Sequence, residues 1–346
     1  HIEKYYNSAE IGKFPERLPP VSRRPCLTDL KCAINYDEIY AQLMLLCLSI
    51  YTPSHYIFPS KIQKYAELTH NKGENLTQDG REQGIRRLMS INLLKRLESS
   101  VYSFQLTLTR IRELIDSTIE AINRFETYGS ADIAMYEAQE SEFDMDDGNT
   151  DYFSVGRKVK IDLADMDYKT WRTELQQDAE VLELLTLMVA DITPEHDGKL
   201  QDLLSLLSHK IENPINPDNK KVIIFSAFSD TAEYLYENVS AYVKKKYGLD
   251  TAVITGSIDG KTTIKGFKVT LNNVLTCFSP VSKGRNVLMP GSKAEIDILI
   301  ATDCISEGQN LQDCDYLINY DIHWNPVRII QRFGRIDRIG LSLIHI

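Results

Sequence analysis

The chain has few cysteines, no long apolar run and more acidic than basic residues. Its six cysteines, at positions 26, 32, 47, 277, 304 and 314, form no CxxC pair and show no spacing with histidine that would suit zinc. This excludes a disulfide framework, predicts no metal site and favours a reducing, cytoplasmic setting. No stretch approaches the ~18 apolar residues of a membrane span, and the N-terminus has no signal-peptide pattern. No membrane partner is therefore expected.

The net charge of −10 argues against a nucleic-acid partner, because phosphate contacts need basic surface. The acidic residues are unevenly distributed, however. Seven crowd into one stretch: Glu137, Glu140, Glu142, Asp144, Asp146, Asp147 and Asp151. Without that stretch the chain is nearly balanced, so charge does not exclude nucleic acid. Segment 136–158 is predicted to be an acidic, solvated loop that can be disordered.

The order of sequence patterns predicts an all-helical domain followed by an α/β domain. Residues 1–35 are interrupted by prolines and are predicted to be extended. Segment 36–135 is predicted to be helical: 36–51 is apolar all round, and the apolar periodicity that follows fits one very long helix or two helices with a bend. Residues 159–218 are predicted to form helices that lead to a proline-containing linker.

Residues 219–346 have a different texture. Short apolar runs, VIIF, TAVIT, DILIAT and YLINYD, alternate with helical patterns. Buried parallel strands have this composition, and the alternation is typical of an α/β layer. The predicted fold class is a parallel sheet with flanking helices, preceded by the helical domain.

Three segments of this half occur in a recognisable order: KVIIFSAFSDTAEYL (221–235), ILIATDCISEGQNLQDCDYLINYD (298–321) and HWNPVRIIQRFGRIDRIG (323–340). They resemble motifs IV, V and VI of superfamily-two helicases, and the third is most similar to Swi/Snf-like translocases, notably bacterial ones. The resemblance covers residues 220–340 in detail. RRLMSINLLKRLESSVYSF (86–104) also resembles the region between the motor lobes of these relatives. The resemblance implies a second RecA-like motor lobe.

The spacing QRxGRxxR in the third segment fits a triphosphate site. Gln331, Arg335 and Arg338 stand at i, i+4 and i+7, so they share a helix face or its C-terminal turn. The resemblance implies that Arg335 and Arg338 are arginine fingers, which neutralise charge on the transferred phosphoryl group, and that Gln331 is a nucleotide or interlobe contact. A salt-bridged surface arginine cluster is the alternative.

The other two segments supply candidates where strands end, which is where open α/β sheets bind ligands. The resemblance implies ATP coupling by Asp303, Glu307, Gly308 and Asn310. It implies contacts with the nucleic-acid backbone by Ser226, Phe228, Thr255, Gly256 and Thr302. Ordinary turn and helix-capping roles are the alternative for these residues.

GSIDGKTT (256–263) looks like a phosphate-binding P-loop but is one residue shorter than GxxxxGK[ST]. An autonomous P-loop NTPase that uses Lys261 stays open as an alternative. Otherwise the chain carries neither a P-loop nor a DExx box, and the ATP and Mg²⁺ machinery belongs to a first motor lobe outside it. The fragment alone is then expected to hold no cofactor and to be inactive.

The sequence therefore predicts the C-terminal part of an ATP-dependent translocase whose partners are double-stranded DNA and the first motor lobe. The apolar ending LSLIHI (341–346) departs from the family and is expected to be a truncation or a non-native addition. Such a tail, or exposed helical surface, could mediate self-association. A non-enzymatic helical scaffold that binds a partner protein is the second alternative.

Overall fold

The computed structural model describes residues 16–30, 34–69, 78–128, 132–133, 161–256, 260–305, 309–322, 325–336 and 343–345. The chain forms two compact units: Leu27–Phe143 with Asp147–His196, and His1–Cys26 with Asp144–Asp146 and Asp197–Ile346. The acidic segment predicted over 136–158 lies outside the described residues. No helix among the described residues is both long and apolar enough to cross a membrane.

The first unit is built from helices. They are α1 (Tyr36–Leu43), α2 (Ile62–Thr69), α3 (Gln78–Ser99), α4 (Val101–Tyr128) and α5 (Tyr168–Val189), with a small antiparallel pair, Asp132–Ile133 and Ile161–Asp162. The predicted long helix is two helices, α3 and α4, that meet at Ser100. The Ser100 hydroxyl accepts a hydrogen bond from the Ser103 amide at 3.0 Å, which caps the first turn of α4.

The prediction of a helix over 36–51 is wrong for its second half, because α1 ends at Leu43. The carboxylate of Asp178, on α5, accepts hydrogen bonds from the backbone amides of Cys47 (2.7 Å) and Ser49 (2.9 Å). Between them Leu48 adopts a left-handed conformation with φ 51°. An acid distant in sequence thus takes the amides that a continuing helix would have used. Met44, at 65% exposure, is not buried as predicted.

The second unit is the predicted α/β layer. Its elements are α6 (Gly198–Glu212), β1 (Val222–Phe225), α7 (Ser229–Tyr247), β2 (Thr251–Ile254), β3 (Lys261–Thr262), α8 (Leu271–Phe278), α9 (Arg285–Leu288), β4 (Ile298–Ala301), β5 (Leu317–Asn319) and α10 (Pro326–Phe333). The strand order is β3-β2-β4-β1-β5. All neighbouring pairs are parallel except β2–β3, an antiparallel edge that the sequence analysis did not predict. The predicted fold class, a RecA-like layer of mostly parallel strands with flanking helices, is confirmed.

Successive residues of each central strand enter different hydrophobic cores, as the period of two requires. Val222 and Ile224 of β1 pack with α6 and α7 on one face of the sheet. Ile223 and Phe225 pack with α8 on the other face. Since both faces are covered, the strands read as unbroken apolar runs, and the loops at their ends are left to carry polar chemistry.

Helix α6 belongs to the sheet unit, one helix earlier than the boundary predicted at 218–219. Its leucines enter the core beside β1. Its Lys210 forms an ion pair with Asp315 at 2.8 Å, and both side chains are 0% exposed. The Lys210 ammonium also donates to the carbonyl of Asn219 at 2.8 Å, and Asn216 donates to the other Asp315 oxygen at 2.9 Å. This buried network fastens α6 to the chain that enters β5.

Lys210→Met is expected to destabilise the sheet unit by about 3–5 kcal/mol, because it leaves the Asp315 carboxylate buried without its counter-charge. Urea unfolding followed by circular dichroism measures the change. Lys220→Met, at an exposed lysine nearby, is the matched control and is expected to change stability little. Equal midpoints for the two variants would show that the buried pair contributes nothing.

Candidate functional site

The ends of four parallel strands bring the predicted site residues to one edge of the sheet. In the register, Phe225 of β1 lies beside Ala301 of β4 and Asn319 of β5, and Ile254 of β2 also lies beside Ala301. The residues that follow these strands therefore meet at the carboxyl edge, where open α/β sheets bind ligands. They include the predicted backbone contacts Ser226, Thr255 and Thr302.

The loop after β1 is held by a residue that the sequence analysis missed. Ser226 is fully buried, and its hydroxyl donates to Oδ2 of Asp321 at 2.7 Å. The Ala227 amide donates to Oδ1 of the same carboxylate at 2.6 Å. Phe228, the N-cap residue of α7, donates its amide to the Ser226 hydroxyl at 3.3 Å. The sequence signal that could have identified this residue is its position: Asp321 is the acidic residue that ends YLINYD, just after a strand.

The remaining predicted backbone contacts differ in exposure. Thr302 is fully buried, its amide donates to the carbonyl of Ile254 at 3.2 Å, and its hydroxyl has no hydrogen-bond partner among the described residues. Thr255 is half-buried and Gly256 is exposed. Of the five predicted backbone contacts, Thr255 and Gly256 are therefore the two that solvent can reach.

Asp303 makes a bidentate ion pair with Arg332. The Nε–Oδ1 distance is 2.7 Å and the Nη2–Oδ2 distance is 2.8 Å. The third guanidinium nitrogen donates to Asn319 at 3.0 Å, and the guanidinium carbon lies 5.1 Å from the Phe225 ring centroid. Arg332 is 0% exposed, so it joins the carboxyl ends of β1, β4 and β5 from inside the fold. A bidentate arginine–carboxylate pair of this kind orients both side chains as well as neutralising their charges.

Helix α10 places Arg332 against the sheet. It begins at Pro326 after Asn325, whose side chain accepts from the Val327 amide at 3.0 Å. Proline is favourable at the first helical position, because the backbone N–H that it lacks would have no partner within the helix. Val327 and Ile330, at 51% and 68% exposure, face solvent while the arginine faces inward. This helix therefore buries an arginine and exposes two apolar side chains, while its last residue, Phe333, packs against the core.

Arg335 lies in the turn that follows α10. Its amide donates to the carbonyl of Arg332 at 3.2 Å, and its own carbonyl accepts from the amide of Leu311 at 3.0 Å. Its side chain is 5% exposed, which does not fit the alternative of a surface arginine cluster. Arg335 thus lies just beyond the last residue of the helix, Phe333.

Other residues predicted around the nucleotide are described only in part. Gln331 is half-buried on α10, and Asn310 is half-buried with its side-chain oxygen accepting from the Gln312 amide at 3.3 Å. Glu307, Gly308 and Arg338 lie outside the described residues. Within the described part of the chain, no three His, Cys, Asp or Glu side chains are arranged to hold a metal ion.

Lys261 does not have the setting of a P-loop lysine. It begins strand β3, which pairs with β2, whereas a P-loop opens directly into a helix. Its ammonium forms an ion pair with Glu233 at 2.5 Å, and this hydrogen bond raises the pKa of Lys261 above its ordinary value. The next residue, Thr262, donates its hydroxyl to the carbonyl of Thr251 at 3.0 Å. Lys261 thus links β3 to α7, and Thr262 links β3 to β2.

The second unit is similar to a domain of known proteins. Residues 198–340 match the helicase conserved C-terminal domain, and the match starts at the first residue of α6. Residues 198–340 are thus similar to that domain, and the predicted resemblance to the C-terminal part of a Swi/Snf-like, superfamily-two helicase is confirmed.

Individual relatives match smaller parts of the chain. A 48-residue segment is 54% identical to the uncharacterized ATP-dependent helicase YqhH of Bacillus subtilis, covering 14% of this chain and 9% of the relative. The mitochondrial ATP-dependent RNA helicase MRH4 of Kluyveromyces lactis is 27% identical over 45% of this chain and 30% of its own length. The mouse DNA repair and recombination protein RAD54B is 30% identical over 45% of this chain and 15% of its length. The chain thus spans less than a third of each of these three relatives.

Among solved structures, the C-terminal part of the Fun30 ATPase domain aligns with 96% of this chain and 84% of its own, at 16% identity and a TM-score of 0.37. A similarity at that level supports no argument about function. The similarity of this unit to helicases rests on the match over residues 198–340.

Proposed function

We propose that this chain supplies the second motor lobe of an ATP-dependent translocase that acts on double-stranded DNA in the cytoplasm. Its role is to complete an ATPase site whose P-loop belongs to a first motor lobe. The observation that carries the proposal is the fixed position of Arg335. It sits in a turn bonded to Leu311 on one side and to Arg332 on the other, inside the matched helicase domain.

In this proposal Arg335 and Arg338 bring positive charge to the phosphoryl group that is transferred, and Gln331 contacts the nucleotide or the facing lobe. ATP, with Mg²⁺, supplies the phosphoryl-transfer chemistry and is held chiefly by the first lobe. Arginines that arrive from a second lobe act only when the lobes close, so hydrolysis depends on closure. When the lobes reopen, this lobe moves its contacts to a new position along the DNA backbone.

Asp303 has an indirect part in this scheme. Both of its carboxylate oxygens are bound by Arg332, so it couples to ATP through the placement of α10 rather than by a direct contact. Glu307, Gly308 and Asn310 form the rest of the coupling loop. Thr255, Gly256 and Thr302, with the loop at Ser226 and Phe228, form the nucleic-acid edge.

Double-stranded DNA is favoured over RNA by the Swi/Snf-like third segment. The relatives leave both chemistries in view, since MRH4 is named as an RNA helicase and RAD54B as a DNA repair protein. Titrating the chain with matched DNA and RNA duplexes distinguishes the two. The proposal requires tighter binding of the DNA duplex, with a salt dependence that reflects phosphate contacts.

The chain alone is expected not to bind ATP at micromolar concentration, because its Lys261 lies in a strand and is paired with Glu233. Isothermal titration with ATP and Mg²⁺ measures this. Lys261→Ala and the control Lys268→Ala, at another exposed lysine, are expected to behave like the parent chain. Micromolar binding that Lys261→Ala alone abolishes would instead identify an autonomous P-loop NTPase.

A further inference from the structure

We propose that Asp321 is a positioning residue for the nucleic-acid loop after β1, and that the Ser226 hydroxyl does not contact the nucleic acid. The inference rests on the proposed function and deepens it. It corrects one of the contacts expected from the resemblance and adds a residue outside the predicted site. The evidence is the set of hydrogen bonds that Asp321 makes with consecutive groups of the loop.

The position of Asp321 is fixed by the sheet. It follows β5, whose last residue, Asn319, lies beside Phe225, the last residue of β1. The Tyr320 amide donates to the carbonyl of Phe225 at 2.8 Å, which extends the pairing by one step. Asp321 is therefore delivered next to the loop at Ser226, and at 8% exposure it is nearly enclosed there.

The Ser226 hydroxyl has no proton left for a phosphate. A serine hydroxyl carries one donor and two acceptor lone pairs, whereas phosphodiester oxygens only accept. The single proton is directed to Asp321 at 2.7 Å, and the hydroxyl oxygen accepts from Phe228. Ser226 is also 0% exposed. Its hydroxyl is thus enclosed within the loop and is not accessible to a phosphate.

The carboxylate acts on two loop groups at once. It accepts from the Ser226 hydroxyl and from the Ala227 amide, while the Ser226 amide is bound to the carbonyl of Ala301 at 3.0 Å. The loop is therefore tied to the chain after β5 and to β4 on its other side. A charged acceptor makes stronger hydrogen bonds than a neutral one. Asparagine can keep the acceptor for Ala227, whereas alanine removes both bonds.

Fluorescence anisotropy with a short labelled DNA duplex tests this on the whole chain, at a temperature where every variant is folded. Asp321→Ala is expected to weaken binding about tenfold, because the loop loses its shape. Asp321→Asn is expected to restore most of the affinity, and Ser226→Ala to change it less than about twofold. Glu237→Ala, at an exposed acid on α7, controls for the loss of one negative charge.

Three results would overturn the inference. If Ser226→Ala weakens binding as much as Asp321→Ala while amide exchange at Ala227 keeps the parent rate, the hydroxyl is a phosphate contact. If both Asp321 variants bind DNA more tightly, the carboxylate acts by repulsion. If neither Asp321 variant changes the affinity, it does not position the loop.

Amide hydrogen exchange measured by NMR gives a readout that does not need DNA. Exchange at Ala227 is expected to accelerate about tenfold in Asp321→Ala and to stay near the parent rate in Glu237→Ala. If the chain binds no duplex but this exchange pattern is found, the proposed function fails and the positioning role stands. If amide exchange at Ala227 is unchanged in Asp321→Ala, Asp321 does not position the loop, whatever the duplex titration shows.

Discussion

Arg335→Ala, made in a protein that joins this chain to its first motor lobe, is expected to lower nucleic-acid-stimulated ATP hydrolysis by about 10³–10⁵-fold. The reason is that a guanidinium brought by the second lobe neutralises charge that develops only in the transition state, so kcat is expected to fall far more than KM rises. Steady-state ATPase assays with saturating duplex DNA measure the effect. Arg335→Lys is not expected to rescue it, because an ammonium lacks the planar fork of the guanidinium.

Arg328→Ala is the matched control for that experiment. Arg328 is a half-buried arginine on α10 itself, seven residues before Arg335, and the proposal gives it no role in catalysis. The DNA-stimulated ATPase activity of the Arg328→Ala variant is expected to stay within a few-fold of the parent activity. An Arg335→Ala protein that keeps its DNA-stimulated ATPase would contradict the arginine-finger role and favour the helical scaffold as the function.

Arg332→Met is expected to destabilise the sheet unit by about 3–5 kcal/mol. The change removes the counter-charge of Asp303, whose side chain is only 5% exposed, and leaves that carboxylate buried. The side chain of Asn319 and the Phe225 ring lose their contacts with the guanidinium as well. Chemical denaturation of the isolated chain measures the difference in unfolding free energy.

A double-mutant cycle with Asp303→Asn separates the pair from its surroundings. The double variant is expected to be more stable than Arg332→Met alone, since no unpaired charge remains. Lys246→Met, which breaks an exposed pair with Glu212, is the control and is expected to have a much smaller effect. Strictly additive losses in the cycle would show that Asp303 and Arg332 do not stabilise each other.

The sheet could be predicted because its signal is local. Val222–Phe225 and Ile298–Ala301 are buried on both faces, so each appears in the sequence as an unbroken apolar run. The strand β3 has no such run. It consists of Lys261 and Thr262 at an edge, and it forms because their backbone pairs with β2. The same two residues produced the resemblance to a P-loop.

The pairings within the site could not be predicted, because they join residues that are distant in sequence. Asp303 and Arg332 stand 29 positions apart, and Ser226 and Asp321 stand 95 apart. Each residue type is compatible with a ligand contact. The structure shows that the Asp303 carboxylate is bound by the Arg332 guanidinium, and that the Asp321 carboxylate is bound by the Ser226 hydroxyl and the Ala227 amide. The sequence located the edge of the sheet correctly, but it did not distinguish groups that face outward from groups that hold the edge together.

The burial of Lys210 against Asp315 has a practical consequence for anyone who wishes to produce the motor lobe by itself. A protein cut at the proline linker, at residue 219, would lose α6, leave the Asp315 carboxylate enclosed without its lysine and uncover the leucine-lined core beside β1. A cut before Asp197 keeps α6 with its own N-cap, where that carboxylate accepts the amides of Lys199 and Leu200 and the hydroxyl of Tyr234. A separately produced form of this lobe therefore has to keep the helix that lies before the linker in the sequence.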